Sequence, residues 1–138
     1  NLGDYFTKNQ EIMKNLLFIF LLLPSLAMVS PNVNGISQAI STGNADALAQ
    51  YLDQSVEISI LDDVDMYDKN EAVQMLRIFF ANNKPKSYIQ MHQGTSKGQD
   101  SRYTIGNLVT SSNSFRVYIY LKVQGGQQLI QELRFDKE

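Results

Sequence analysis

The sequence contains no cysteine and has no surplus of positive charge. Without cysteine there can be no disulfide, no thiolate metal site and no lipid-modified N-terminal cysteine. The 12 Lys and Arg residues stand against 14 Asp and Glu, for a formal net charge of −2. Because this balance would not neutralise a phosphate backbone, we expect no nucleic-acid partner. The 138 residues, of which 43% are hydrophobic and 19% charged, fit one globular domain.

The longest apolar run, Leu16 to Leu23, follows Lys14 near the N-terminus and leads into small residues ending at Ala27. This order is typical of a signal peptide, with cleavage after Ala27. Extended to Val29 and including one proline, the run is 14 residues long, whereas a bilayer span needs about 20. A membrane anchor is therefore the weaker interpretation. A buried helix is weaker too, since no polar face interrupts the run.

These features divide the chain into three predicted segments. Residues 1–12 are interpreted as an upstream extension or a cloning remnant, and residues 13–27 as the signal peptide. Residues 28–138 are predicted to form a single domain. We expect that domain to be exported, either periplasmic or secreted, with no stable membrane anchor after cleavage.

Two short helices are predicted at the start of the domain. Apolar residues recur at helical spacing from Val33 to Ile40, and Gly43 follows as a stop signal. Asn44 can then cap a second helix whose apolar stripe ends at Leu52.

A strand and a longer helix follow. Ser55–Leu61 alternates between apolar and polar residues, which predicts a strand. Asp68 is followed three residues later by Glu71, a capping box that predicts a helix beginning near Lys69. Asn82 lies at its predicted end, just before an Asn-Lys-Pro sequence. In the predicted strand Ser55–Leu61, the side chains expected to face inward are Val56, Ile58 and Ile60.

Everything after that helix alternates with a period of two, which predicts four strands separated by polar or glycine-rich turns. Their predicted ranges are Lys86–Thr95, Arg102–Ser111, Phe115–Val123 and Gln128–Asp136.

The Gly125-Gly126 turn between the last two strands raises a question of register. A two-residue loop would pair Gln124 with Gln127 and so bring Ile119 opposite Glu132, with a charge among core side chains. We therefore predict a three-residue loop with a glycine in the left-handed region and a bulge, which pairs odd positions with odd positions. The shared apolar face would then carry Val117, Ile119, Leu121, Val123, Leu129, Leu133 and Phe135.

Odd-length loops in the two earlier hairpins extend this face across all four strands, adding Ile89, Met91, Ile105 and Val109. Four polar residues also fall on it: Gln93, Tyr103, Asn107 and Gln131. A buried amide without a partner costs about 1–3 kcal/mol. These side chains therefore either bond to one another, to water or to frayed backbone, or they bind a small apolar ligand in a cavity between sheet and helices.

The opposite face of the predicted sheet is too apolar for a purely solvated surface. It would carry Tyr88, His92, Arg102, Leu108, Arg116, Tyr118, Tyr120, Ile130 and Glu132. One interpretation is a homodimer surface, for which the candidate residues are Tyr88, His92, Tyr118 and Tyr120. The alternative is ordinary cross-strand aromatic pairing on a wet face.

The order of these elements resembles the nuclear transport factor 2-like superfamily, whose members have a cystatin-like, cone-shaped fold. The resemblance rests on STGNADALAQYLDQSVEISI, from Ser41, and on FRVYIYLKVQGGQQLIQELRFDKE, from Phe115, and it covers about residues 34–138. The chain is most similar to a group of small exported bacterial proteins of unknown function. The resemblance implies an α+β fold, with helices packed on the concave face of a curved antiparallel sheet.

The resemblance implies no catalytic residue. Enzymes of the superfamily, such as isomerases and dehydratases, place a carboxylate or a His–Asp pair inside the cone. Here Glu132 and Asp136 are predicted to face outward, and His92, the only histidine, falls on the convex side. We therefore expect no enzyme and no cofactor, with an isomerase or dehydratase as the alternative.

The acidic stretch before the long helix does not match a calcium loop. Such a loop beginning at Asp63 would need glycine at position six and glutamate at position twelve, where Asp68 and Gln74 stand. We expect no metal site, and we interpret the stretch as a solvated loop that ends in the helix cap.

Overall fold

The computed structural model describes Gly3, residues 33–98 and residues 100–138. The predicted signal peptide, and all of the predicted extension except Gly3, lie outside the described residues. From Val33 onward the elements are, in order, α1 (Val33–Thr42), α2 (Ala45–Leu48), a short 3-10 helix (Ala49–Tyr51), β1 (Leu52–Ile60), β2 (Asp63–Asp68), α3 (Lys69–Asn82), β3 (Pro85–Thr95), β4 (Ser101–Thr110), β5 (Ser114–Gln124) and β6 (Gln127–Lys137).

The helix boundaries follow the capping signals in the sequence. Gly43 ends α1 with φ +65°, and the Ala47 N–H donates to the Asn44 side chain over 2.9 Å at the start of α2. At α3 the Glu71 N–H donates to Asp68, and the Asp68 N–H donates back to Glu71. The predicted starts of α2 and α3 are confirmed, because each cap satisfies backbone groups that have no partner inside the helix.

The six strands form one sheet in the order β2-β1-β6-β5-β4-β3. Strands β3 to β6 are an antiparallel meander, as predicted, while β1 pairs with β6 in parallel. The α+β class with a curved sheet is confirmed. Strand β2 was not predicted from the sequence: its DVDMYD segment was interpreted as a solvated loop because of its acidic residues, although Val64 and Met66 alternate with aspartates there.

The β5–β6 hairpin corrects the predicted three-residue loop. Gln124 pairs with Gln127 across a two-residue turn, in which both glycines have positive φ, as a type I′ turn requires. Farther along the hairpin the register shifts, so that Leu121 pairs with Ile130 but Tyr120 pairs with Glu132. Beyond this shift, odd positions of β5 pair with odd positions of β6, as predicted. The extra residue is Gln131, a bulge in β6.

Because of the bulge, the apolar residues predicted for the two strands share one face along most of the hairpin. Val117 pairs with Phe135 and Ile119 with Leu133, and all four are buried. Beyond the bulge the prediction was wrong, since Ile130 is buried, and Leu129 pairs with Lys122 on the other face.

The predicted faces of β4 and of the first half of β3 were wrong, whereas those of His92 and Gln93, beyond the register shift after Gln90, were right. Leu108 pairs with Phe115 and is buried, whereas Val109 is exposed. The cause is the β4–β5 turn, where the Thr110 N–H donates to the Asn113 carbonyl and leaves only two residues between them. That even-length loop pairs even positions of β4 with odd positions of β5. Ile89, Met91 and Ile105 are therefore not on the core face as predicted.

An aromatic cluster joins the longest helix to the concave face of the sheet. The Phe79 ring lies 4.2 Å from that of Phe135 and 5.3 Å from that of Phe115, between ring centroids. Phe80 contacts Phe79 edge to face. Part of the core therefore lies between α3 and the inner faces of β5 and β6, and α1, α2, β1 and β4 contribute the rest.

Candidate functional site

The four predicted ligand-binding residues do not share a face. Tyr103 and Asn107 lie on the outer face, opposite Tyr120 and Arg116. Asn107 donates a hydrogen bond to Glu138 across 3.0 Å. These placements correct the prediction that both side chains line the cone, because the even-length β4–β5 loop turned them outward.

The other two predicted residues are also separated from each other. Gln131 is the bulge residue, and its amide donates to Asp53 over 3.3 Å. Gln93 pairs with Thr104, whose side chain is buried, and so lies on the inner face near the end of β3. Gln93 is in an open pocket at this end of the sheet, whose lining also includes Tyr103.

That pocket, which we call the inner-face pocket, has a volume of about 310 Å³. It lies at the end of the sheet away from the phenylalanine cluster, since Leu121 is at the far end of β5 from Phe115. Its lining consists of Gln93, Gly94, Thr95, Arg102, Tyr103, Thr104 and Leu121.

Among the described residues of this lining, Arg102 is the only charged one. Its Cα partners are Leu121 on one side and Thr95 on the other, so the prediction that it lies on the outer face was wrong. The ion pairs of the described residues involve Arg77, Arg116 and Arg134, and none involves Arg102. The Arg102 Nε is buried and has no hydrogen-bond partner. The pocket therefore contains a cation without a counter-charge.

A second unpartnered polar atom lies at the same end of the sheet. Gln128 pairs with Val123, the next inner-facing residue of β5 after Leu121, and its Oε1 is buried without a partner. The sequence prediction missed Arg102 and Gln128. The available signal was Leu108, an apolar residue at an even position of β4, which indicates that the even positions there face the core.

Tyr88 lies on the inner face and packs against the core, which corrects its assignment to the dimer surface. A Cβ at Gly106 would collide with the Tyr88 ring, so the glycine makes room for it. Burial raises the pKa of the Tyr88 phenol to about 12, and the neighbouring Thr104 side chain opposes part of that rise. The Tyr88 hydroxyl makes no hydrogen bond of good geometry. Tyr88 therefore contributes to the core mainly through the packing of its aromatic ring.

The outer face of β3–β5 carries a group of exposed apolar and aromatic side chains, which we call the outer patch. Direct Cα pairing joins His92 to Ile105, Ile105 to Tyr118, and Tyr103 to Tyr120. Five members have exposed fractions between 39% and 62%: Ile89, Met91, Tyr103, Val109 and Tyr120. His92, Tyr118 and Tyr120 are thus on the outer face, as predicted.

Charges of both signs border the outer patch on the side of β6. Arg116 pairs with Glu138 across 2.9 Å, and Arg134 pairs with Asp136 across 3.0 Å. The Arg134 guanidinium also lies 5.4 Å from the centroid of the Tyr118 ring, which is within cation–π range. The border therefore contains two ion pairs within the chain.

The described residues offer little acid–base chemistry in the cone. The inner faces of β3–β6 carry no Asp or Glu, and His92 is exposed on the outer face. In this part of the chain no cluster of three or more metal-ligating side chains occurs. Within the same described ranges, no helix combines the length and hydropathy needed to cross a membrane.

Comparisons with known proteins place this geometry among related folds. A family model described as a domain of unknown function, DUF4783, matches residues 33–136. A crystal structure of a DUF4783 family protein from Bacteroides uniformis is 30% identical, with a TM-score of 0.72 over 76% of this chain and 95% of that one. No curated protein matches the chain.

More distant structures share the fold alone. A nuclear transport factor 2-like protein of unknown function from Silicibacter pomeroyi is 12% identical, with a TM-score of 0.55 over 77% of this chain and 89% of that one. A protein of unknown function with a cystatin-like fold from Nostoc punctiforme is 7% identical, with a TM-score of 0.60 over 77% and 85% of the two chains.

Proposed function

Since the chain belongs to the DUF4783 family, a family of unknown function with nuclear transport factor 2-like structural neighbours, we propose that it is an exported, non-catalytic domain that binds a protein partner through the outer patch. The partner is a second copy of the same chain. The outer patch carries the proposal, because isolated exposed apolar residues are ordinary, whereas a contiguous group on one face is typical of an interaction surface.

The size of the outer sheet face suits a dimer. Strands β3–β6 are 10 or 11 residues long, which corresponds to roughly 600 Å² of projected surface at standard strand spacings. Protruding side chains add to this area, and a standard interface buries about 800 Å² on each partner.

The chemistry of the patch favours a second copy over a charged partner. Its centre is aromatic and aliphatic, and aromatic residues are enriched in the cores of interfaces. Two acids of the border, Glu138 and Asp136, each have a basic partner in their own chain, which limits the repulsion between two such faces. A two-fold axis would then bring each patch against its equivalent.

The absence of catalysis is proposed from the inner face. An isomerase or dehydratase of this fold needs a general base within reach of its substrate. The phenylalanine cluster occupies the space between α3 and the sheet, and the inner faces of β3–β6 carry no Asp or Glu. A protein partner is therefore favoured over an apolar ligand held deep in the cone.

Export is proposed from the sequence pattern of residues 13–27 alone. The Lys14 charge, the apolar run and the small residues ending at Ala27 support it.

The dimer is tested by sedimentation equilibrium on the protein and on two outer-patch variants, Tyr120→Glu and Ile89→Glu. We expect the wild-type protein to dimerise at micromolar concentrations and each variant to be monomeric there, because a buried unpaired carboxylate opposes association. Val64→Glu is the matched control, since Val64 is equally exposed on β2, at the other edge of the sheet.

The control variant should dimerise like the wild type. A wild-type protein that stays monomeric up to millimolar concentration contradicts the proposal. A dimer that survives both outer-patch substitutions also contradicts it, since the interface would then lie elsewhere.

A further inference from the structure

We infer that the inner-face pocket is a binding site for a small monocarboxylate, held by the Arg102 guanidinium. This site is distinct from the outer patch and does not depend on self-association. Three observations carry it: the volume and lining of the pocket, the unpaired charge of Arg102, and the polar groups that surround that charge.

The pocket has the size of a small-ligand site. Its volume of about 310 Å³ is at the lower end of the range of about 300–1,000 Å³ that is usual for ligand pockets. Leu121, which is buried, provides an apolar wall, and the polar groups converge from β3 and β4.

Arg102 supplies a charge that no residue of the described part of the chain neutralises. The nearest acid along the chain is Asp100, whose Oδ1 accepts a hydrogen bond from the Ser96 hydroxyl over 2.8 Å; it forms no ion pair with Arg102. A buried guanidinium N–H without an acceptor is costly, and an anion in the pocket would remove that cost. Arginine presents parallel N–H donors that match the two oxygens of a carboxylate.

The surrounding groups favour a monoanion. Only one cation lines the pocket, so a dianionic phosphate would retain an unbalanced charge after desolvation. The hydroxyls of Thr95 and Thr104 and the amide of Gln93 are neutral donors that can complete the hydrogen bonds of a carboxylate. The side chain of Leu121 is suited to contact a short carbon chain behind it.

The site is tested by two-dimensional ¹H–¹⁵N NMR titration of the protein with sodium pentanoate. We expect saturable shifts of the amides of Arg102 and Thr104, with little response to 1-pentanol, which has the same carbon chain but no charge. Inorganic phosphate should shift these amides less than pentanoate does. Equal responses to pentanoate and pentanol contradict the inference, and so does a stronger response to phosphate.

The variant Arg102→Gln should weaken pentanoate binding about tenfold or more, the loss expected when a charge-assisted hydrogen bond is removed. Arg102→Lys should recover part of the affinity, because it keeps the charge but not the planar fork. Arg77→Gln, on α3 and outside the pocket, is the matched control and should bind like the wild type.

Thr95→Val gives an independent measurement if Arg102→Gln fails to fold. Thr95 is exposed at the end of β3, so the fold should tolerate this change while pentanoate affinity falls. Unchanged affinity in Arg102→Gln, or in both Thr95→Val and Arg102→Lys, contradicts the inference.

Discussion

At the scale of single residues, the most informative position is Tyr88. The predicted strand parity, with odd positions on the apolar face, placed Tyr88 on the outer surface. Its ring instead fits the inner face, because Gly106 on β4 has no side chain to displace it. Cross-strand contact between an aromatic ring and a glycine is a recurrent way to cover a bare stretch of sheet.

The buried phenol of Tyr88 predicts a loss of stability at alkaline pH. An unfolded tyrosine ionises near pH 10, whereas burial raises the pKa of Tyr88 to about 12. The unfolded chain therefore releases this proton first, and the free energy of unfolding should fall between about pH 10 and pH 12 by on the order of 2 kcal/mol. Below pH 10 the contribution is fully present.

Urea unfolding at several alkaline pH values measures this effect. The variant Tyr88→Phe should lose less stability over that interval than the wild-type protein. Tyr120→Phe is the control, because its exposed ring loses little solvation on folding. Parallel pH profiles for Tyr88→Phe and the wild type would show that the Tyr88 phenol is not protected.

At the scale of elements, the β5–β6 hairpin shows how a turn and a bulge together set a register. The Gly125-Gly126 turn follows the right-handed twist of the strands. Without a bulge, however, this two-residue turn would pair Ile119 with Glu132. The bulge at Gln131 corrects the parity and pairs Ile119 with Leu133.

Substitutions in this turn should depend on the left-handed conformation. Gly126 has φ +76°, where a β-branched side chain costs roughly 1–2 kcal/mol. We therefore expect Gly126→Val to lower the free energy of unfolding in urea by that amount. Gly126→Asn should cost much less, because asparagine adopts this region readily. Equal losses in the two variants would indicate that the turn does not require positive φ.

At the scale of the whole molecule, the phenylalanine cluster couples α3 to the sheet. Phe79 and Phe80 come from the helix, and Phe115 and Phe135 from strands that are paired with each other. Their contacts join segments far apart in the chain, so helix and sheet should unfold in one transition.

Removing one ring of the cluster tests this coupling. We expect Phe135→Ala to reduce the free energy of unfolding by about 3–5 kcal/mol, the usual cost of a large cavity. Far-UV circular dichroism and tyrosine fluorescence should report the same urea midpoint. The control is Ile78→Ala, an exposed apolar residue of α3, which should change stability by no more than about 0.5 kcal/mol. Separate midpoints would contradict the coupling.

Local signals in the sequence determined the helices and the class of fold. The capping box at Asp68 and the stop at Gly43 involve groups within a few residues of each other, so no distant contact was needed to predict them. The inner face of β5 was also predictable, because five apolar residues, from Phe115 to Val123, alternate there without interruption. These features do not depend on how the strands are joined.

Only the tertiary structure decided which way β3 and β4 face and hence which residues form the candidate sites. The facing of a strand changes with one residue of loop length or one bulge, and neighbouring strands fix both through their pairing. The two-residue turn after Thr110 turned Leu108 inward and moved Arg102 with it, which leaves a cation in the inner-face pocket. Tyr103 and Asn107 moved to the outer face for the same reason. The alternation of residue types along a strand distinguishes its two faces. The packing of the neighbouring strands determines which face becomes part of the core.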